Sequence, residues 1–308
     1  MNPEQTIAWR AIGKSVRGAS HIRDNKANQD AISWSSGENE GLPLIMAISD
    51  GHGSQRSFRS DTGAAFAVDA LSACLSEFAL RLSSHVPHST LEQDAGNNLP
   101  RELEYRWKRA VLDHLTTHPF ADGEAETLYV YQEDDDDESP MINPFLAYGA
   151  TALGVLITPT YRLYLQLGDG DMLNVYTDGK TERPLPDDPR LIGNSTTSLC
   201  ARHAARDVRL TVQPCEGELP ELILVSTDGY ANSFKNDNEF LRVGPDILDI
   251  IRTDGLDHIQ RHLHDWLEET TRVGSGDDIT LGILSNAVPI QHELDATKNP
   301  EHSQISAE

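Results

Sequence analysis

Four aspartates border apolar runs in this chain. Asp50 closes the run Leu44-Ile45-Met46-Ala47-Ile48-Ser49 and leads into Gly51-His52-Gly53. Asp228 closes Leu222-Ile223-Leu224-Val225-Ser226-Thr227, Asp277 and Asp278 stand directly before the run 279–284, and Asp30 adjoins Ala31-Ile32-Ser33-Trp34. Carboxylate and peptide-carbonyl oxygens, the Gly51 carbonyl among them, are donors that Mg2+ and Mn2+ prefer. Two such ions a few ångströms apart can share a water, lower its pKa and clamp both oxygens of a phosphoryl transfer. That chemistry needs no side-chain nucleophile, and neither a serine elbow nor a Ser-His-Asp spacing is readable here. A single Asp-Gly step is an ordinary turn dipeptide. The combination carries the signal: strand ends gathered in one place set like charges against one another, and a bound cation is the simplest relief.

The elements that must position these residues change type along the chain. Residues 12–85 read as strand, loop, strand and helix, with Ser60 or Asp61 as N-cap and Ala64, Val68, Leu71, Leu75 and Phe78 on one helical face. Residues 83–100 read as polar and turn-rich, and 101–115 as a second helix with Leu103, Trp107 and Val111 on one side. Residues 118–143 look irregular and contain Glu133-Asp134-Asp135-Asp136-Asp137-Glu138, a run expected to stay solvated rather than bind a cation. Segments 150–158, 161–167 and 172–176, joined by Pro159-Thr160 and Gly168-Asp169-Gly170-Asp171, read as an antiparallel meander. Residues 181–206 read as a surface flap. Strands are expected again at 207–213, 221–227 and 279–284, and helices after Pro245 and over 258–270. Residues 287–308 are polar and patternless and read as a disordered tail. Antiparallel strand blocks with helices between them argue for an α+β layered domain, not a parallel doubly wound sheet.

The 308 residues carry a formal net charge of −24. Such acidity argues against nucleic acid or an anionic membrane as partner, because neutralising phosphates takes clustered Lys and Arg. No run approaches the roughly 18 consecutive apolar residues of a membrane span. The first ten residues lack the charged-then-apolar pattern of a secretion signal. Cys74, Cys200 and Cys215 form neither a disulfide framework nor paired zinc spacing, so a reducing, cytoplasmic setting is expected.

Several motifs recur in a familiar order. They are Val16-Arg17-Gly18-Ala19-Ser20-His21 with Asn28-Gln29-Asp30-Ala31, then Ser49-Asp50-Gly51-His52-Gly53, then Gly149-Ala150-Thr151-Ala152 with Gly168-Asp169-Gly170-Asp171, then Ser226-Thr227-Asp228-Gly229, and last Gly276-Asp277-Asp278-Ile279-Thr280. Together they resemble the metal-dependent protein phosphatases of the 2C family, in a bacterial-type variant, over about residues 13–284. The resemblance implies a sandwich of two antiparallel sheets flanked by helices on both sides, a four-layer αββα fold. It implies a single phosphatase domain over 1–286, in which 83–147 is an insertion. It also implies two Mg2+ or Mn2+ ions and hydrolysis of phosphoserine or phosphothreonine in a protein substrate by a metal-bound water, with a Ser/Thr kinase as natural counterpart. Carried over by position, Asp50 bridges the metals. The Gly51 carbonyl and waters held by Asp30 complete one site, and Asp228 and Asp277 complete the other. His52 is the general acid for the leaving alkoxide.

The chain departs from the family pattern at named positions. Gln29 stands where Glu is common, and Asp278 where Asn is usual. Asn25 occupies the place of a phosphate-binding Arg, leaving Arg23, Lys26 and His21 as candidates for that task. Leu146 stands where some bacterial members carry the aspartate of a third ion. Two rival readings exist. Cys200 and Arg206 have the spacing of cysteine-based phosphatases, but Leu199 replaces their usual His and the loop lacks glycine. A phosphoprotein-binding regulatory module of the same fold is the other; Gln29 and Asn25 favour it, and the retained aspartates oppose it.

Overall fold

The computed structural model describes residues 8–38, 41–81, 86–130, 141–191 and 196–288. The acidic run 133–138 and residues 289–308 of the tail lie outside them. The first strands are β1 (Arg10–Val16), β2 (Asp30–Gly37), β3 (Gly41–Asp50), β4 (Tyr129–Val130), β5 (Met141–Ile142) and β6 (Ala152–Ile157). They are followed by β7 (Tyr161–Leu167), β8 (Asp171–Val175), β9 (Thr181–Glu182), β10 (Arg209–Pro214), β11 (Leu222–Ser226) and β12 (Ile279–Ser285). The helices are α1 (Ala19–Arg23), α2 (Ser60–Arg81), α3 (His88–Thr117), α4 (Asp228–Ala231), α5 (Asp237–Leu241), α6 (Val243–Asp254) and α7 (Leu256–Val273).

Ten strands form two antiparallel sheets, ordered β1-β12-β11-β8-β9 and β10-β7-β6-β3-β2. Side chains alternate across the strands, and the inner strands β6, β7, β11 and β12 are buried on both faces. On β3, Leu44, Met46 and Ile48 point between the sheets, where they meet Leu153, Val155, Ile223 and Val225. Ile45 and Ala47, on the opposite face, pack with Leu71, Leu75 and Phe78 of α2. On β12, Ile279, Leu281 and Ile283 pack with Ile259, Leu263 and Leu267 of α7. Three apolar layers thus separate four layers of structure, which is the expected αββα sandwich.

Three local expectations change. Residues 88–100 are helical, not turn-rich: α3 begins at His88 and carries Pro100 in its interior. Leu91, Ala95, Leu99, Leu103, Trp107 and Val111 recur at helical spacing through that proline and are all buried in the α2 layer. Burial of a six-residue stripe outweighs the cost of one interior proline and the low apolar density of the first turns. The proposed meander is split as well. β6 and β7 pair in one sheet, while β8 pairs with β11 and β9 in the other. Gly168-Asp169-Gly170 therefore crosses between the sheets. Turn residues announce a change of direction but not which sheet receives the next strand. Finally, α2 has the length and apolarity of a membrane span. Its Ala64, Ala67, Leu71, Leu75 and Phe78 are fully buried under the sheet, which makes it a core helix.

Charge pairs fasten the flap that follows β9. Asp188 is buried, and both its oxygens accept from Arg190, at 2.9 and 2.7 Å, while Arg209 on β10 lies 3.2 Å away. The hydrogen bonds from Arg190 outweigh burial and, with the Arg209 charge, hold the carboxyl down to about 2. A carboxyl depressed on folding stabilises the native state above its unfolded pKa of about 4 and loses that contribution as pH falls through its folded value. Asp188→Asn is expected to melt below the wild type at pH 7, with the gap closing between about pH 4 and pH 2. Thermal melts across that window check it; a gap independent of pH contradicts the ion-pair account.

Candidate active site

Strand register delivers the first two carboxylates. β2 and β3 pair antiparallel with Asp30 directly opposite Asp50, at the end where β3 stops. The chain then turns at Gly51, whose amide donates to the Gln29 carbonyl at 3.0 Å. A Cβ on Gly51 would lie 2.5 Å from the Ser60 carbonyl oxygen and 2.7 Å from that of Gln29, so only glycine fits there. Among the described residues the Gly51 carbonyl accepts no hydrogen bond. β11 and β12 pair antiparallel in the other sheet, so Asp228, just past the end of β11, lies near Asp277, just before β12.

The two sheet ends are tied to each other through Asp30. Its Oδ2 accepts from the hydroxyls of Thr227 and Thr280, both at 2.8 Å and both from the opposite sheet or its continuation. Its Oδ1 is buried and has no hydrogen-bond partner, and the same holds for Gln29 Oε1. Asp278 gathers a further set of groups. Its carboxylate accepts from the Gly18 amide at 2.6 Å and the Gln29 amide at 2.7 Å, and it meets His21 Nδ1 at 2.9 Å. Asp30, Asp50, Asp228, Asp277 and Asp278 act on one another electrostatically. Burial, then the charges of Asp30 and Asp228, hold the Asp50 carboxyl far above the usual range. Burial does the same for Asp30, with Asp278 adding to it against the threonine hydrogen bonds. Asp228 is raised by burial too, and shares a hydrogen bond with Asp50.

His52 follows at the rim of this cluster. Its amide donates to the Gly149 carbonyl at 2.9 Å, and its ring lies against the Gly149 backbone. Burial lowers the proton affinity of the imidazole, and Asp169 opposes that. The cleft over the cluster has a volume of about 240 Å³; Gln29, Asp50, Gly51, Asp277 and Asp278 line it, together with Lys26. Arg23 is not among the lining residues: its side chain is 74% exposed and pairs with Asp24. Cys200 is buried, bonded to Ser198, and its thiol is pushed up by burial, the opposite of an activated thiolate.

Sequence reasoning passed over three participants. Asp169 reads from the sequence as part of a turn and of a motif but not as a site residue, yet it acts on both His52 and Asp228 because its turn crosses between the sheets. Thr227 and Thr280 sit inside recognised motifs, one before Asp228 and one two places after Asp278. A hydroxyl beside a carboxylate in sequence was the available signal.

The donor set is oxygen-rich, holds uncompensated carboxyl charge and contains buried oxygens with no partner. Such residues fit a hard divalent cation. Fold and site together define a layered sandwich with an acidic, cation-suited cleft at one end. The protein phosphatase 2C profile matches residues 17–268, and the chain belongs to that family. That match stops short of Asp277, which the pairing of β12 with β11 supplies to the same cleft. No curated protein matches the sequence. Solved structures share the fold at low identity. The catalytic domain of the serine/threonine phosphatase PstP, in complex with two manganese ions, is 16% identical with a TM-score of 0.53, over 90% of this chain and 97% of that one. Stp1 from Staphylococcus aureus is 11% identical with a TM-score of 0.57, over 92% and 98%. A C. elegans sex-determining protein is 13% identical with a TM-score of 0.56, over 93% and 67%.

Removing one of the crowded charges relieves the metal-free protein. Asp50→Asn keeps the shape and deletes the carboxyl, so in a chelator at neutral pH it is expected to melt above the wild type. Calorimetry in EDTA checks this; a lower melting point contradicts the picture of uncompensated repulsion.

Proposed function

We propose that this protein is a metal-dependent phosphoserine/phosphothreonine protein phosphatase. The observation that supports it most is the convergence of Asp30, Asp50, Asp228 and Asp277 from two sheets, with Asp30 Oδ1 buried and unpaired. Asp30, Asp50, the Gly51 carbonyl, Asp228 and Asp277 are the groups that would hold two Mg2+ or Mn2+ ions. When bound, such ions lower the pKa of water and offset phosphoryl charge. The residues of the chain do the rest. Thr227 and Thr280 hold Asp30 in one orientation, and Asp278 and Gln29 fix the backbone around it. His52 is the proton donor to the departing serine or threonine oxygen; burial makes its protonated form a stronger acid, which suits that task. Lys26, on the cleft wall, is the better placed of Arg23 and Lys26 to meet a substrate phosphate. The three continuous apolar layers accord with one domain over 1–286, with α3 part of its core.

The test is release of phosphate from a phosphoserine peptide, titrated with Mn2+ and Mg2+. Turnover is expected with either ion, abolished by chelation and by Asp50→Ala or Asp228→Ala, and indifferent to thiol alkylation. No turnover, with no metal bound at millimolar Mn2+, would favour the non-enzymatic phosphoprotein-binding module. Loss of the proton donor depends on the leaving group. His52→Gln is expected to slow hydrolysis of phosphoserine or phenyl phosphate by about 10²–10⁴-fold and of p-nitrophenyl phosphate far less, because the nitrophenolate departs without a proton. Equal losses on both substrates would remove His52 from that role.

A further inference from the structure

His21 is not among the ligands that position along the family motifs assigns, and the mechanism above does not use it. Its ring is nonetheless built into the site. The side chain is 10% exposed and sits on α1, a short helix that the Gly276 and Thr271 contacts pin against the segment before β12. Nδ1 meets the Asp278 carboxylate at 2.9 Å. That carboxylate is itself held by two backbone amides, so it fixes both the ring orientation and the tautomer with hydrogen on Nδ1. The lone pair of Nε2 is then left pointing away from Asp278. Among the described residues Nε2 makes no hydrogen bond; the facing group is Asp277 Oδ1 at 3.6 Å.

A carboxylate holding one ring nitrogen while the other faces a second carboxylate is the arrangement of a histidine metal ligand. His21, Asp277 and Asp278 bring one donor atom each within 4.8 Å of one another. Asp277 is 54% exposed, and the same Oδ1 accepts from the Asp278 amide at 2.9 Å, which holds it toward the His21 ring. His21 and Asp277 line the same cleft as Gln29 and Asp50.

We propose that His21 Nε2 is a nitrogen ligand to the divalent ion held by Asp277, positioned by Asp278, and that it biases the site toward Mn2+ over Mg2+. Imidazole nitrogen favours transition-metal ions, whereas Mg2+ keeps to oxygen. The inference rests on the two-ion reading above and adds a donor to it.

The test reads the ion directly. Full-length protein labelled with 15N-histidine is loaded with Mn2+, and pulsed electron paramagnetic resonance is used to detect histidine nitrogen coupled to manganese. Coupling is expected in the wild type and in His52→Ala, and is expected to vanish in His21→Gln. Calorimetry of Mn2+ and Mg2+ binding is run on the same proteins. His21→Gln is expected to weaken Mn2+ about 10–100-fold and Mg2+ much less. Two Mn2+ ions bound to the wild type without nitrogen coupling would overturn the His21 ligand and leave the phosphatase reading standing. Equal weakening of both ions in His21→Gln would overturn the selectivity. Failure of the folded wild type to bind Mn2+ at all would overturn both readings together.

Discussion

One carboxylate ties the two sheets at their open end. Asp30 begins β2 in one sheet, and its Oδ2 takes hydroxyls from Thr227 and Thr280, which belong to the end of β11 and the start of β12. Hydrogen bonds to a charged group are among the stronger ones a protein makes, and they are directional. They use one oxygen and leave the other buried and unpaired. Every other acid of the cluster is placed relative to this link: Asp50 by register with Asp30, Asp228 by the residue after Thr227, Asp277 by the strand that carries Thr280.

The site therefore combines tight geometry with unfavourable electrostatics. Burial and mutual repulsion raise Asp30, Asp50 and Asp228 together. A sandwich can hold such a cluster because its cohesion lies elsewhere, in the three apolar layers of β3, β6, β11 and β12 with α2, α3, α6 and α7. Strain at a site is retained when the surrounding structure over-determines it. Asp278 shows the same economy. A single buried carboxylate holds the Gly18 and Gln29 amides and the His21 ring, and so joins the first motif of the chain to the last.

The outer cleft is shaped by the crossing between β7 and β8 and by the flap after β9. Because the crossing changes sheets, Asp169 reaches the acid cluster and His52, while Asp171 at the start of β8 pairs with Arg183 from the flap at 2.6 Å. The Asp188, Arg190 and Arg209 pairs then fasten the flap to β10. Asp171 and Asp188, outside the acid cluster, are thus matched with arginines.

The sequence alone determined most strands of the two sheets, the α2 and α7 helices and the identity of the acids at strand ends, because period-two and helical spacing are local properties written in each segment; the two-residue strands β4, β5 and β9 lie in segments that read as irregular or as a flap. It also carried the family motifs, and with them the layered fold and the candidate residues Asp30, Asp50, Asp228, Asp277 and His52. Tertiary structure decided the rest. The start of α3 at His88 depended on a partner for Leu91, Ala95 and Leu99 that only α2 supplies. The sheet to which β8 belongs depended on hydrogen bonds between segments some fifty residues apart, with Ser226 opposite Asp171. The turning of Arg23 to solvent, the retention of Lys26 on the cleft wall and the locking of His21 by Asp278 across 257 residues of chain followed from contacts that no spacing encodes. Local pattern specifies which side chains an element offers; only the packing of elements specifies which of them meet.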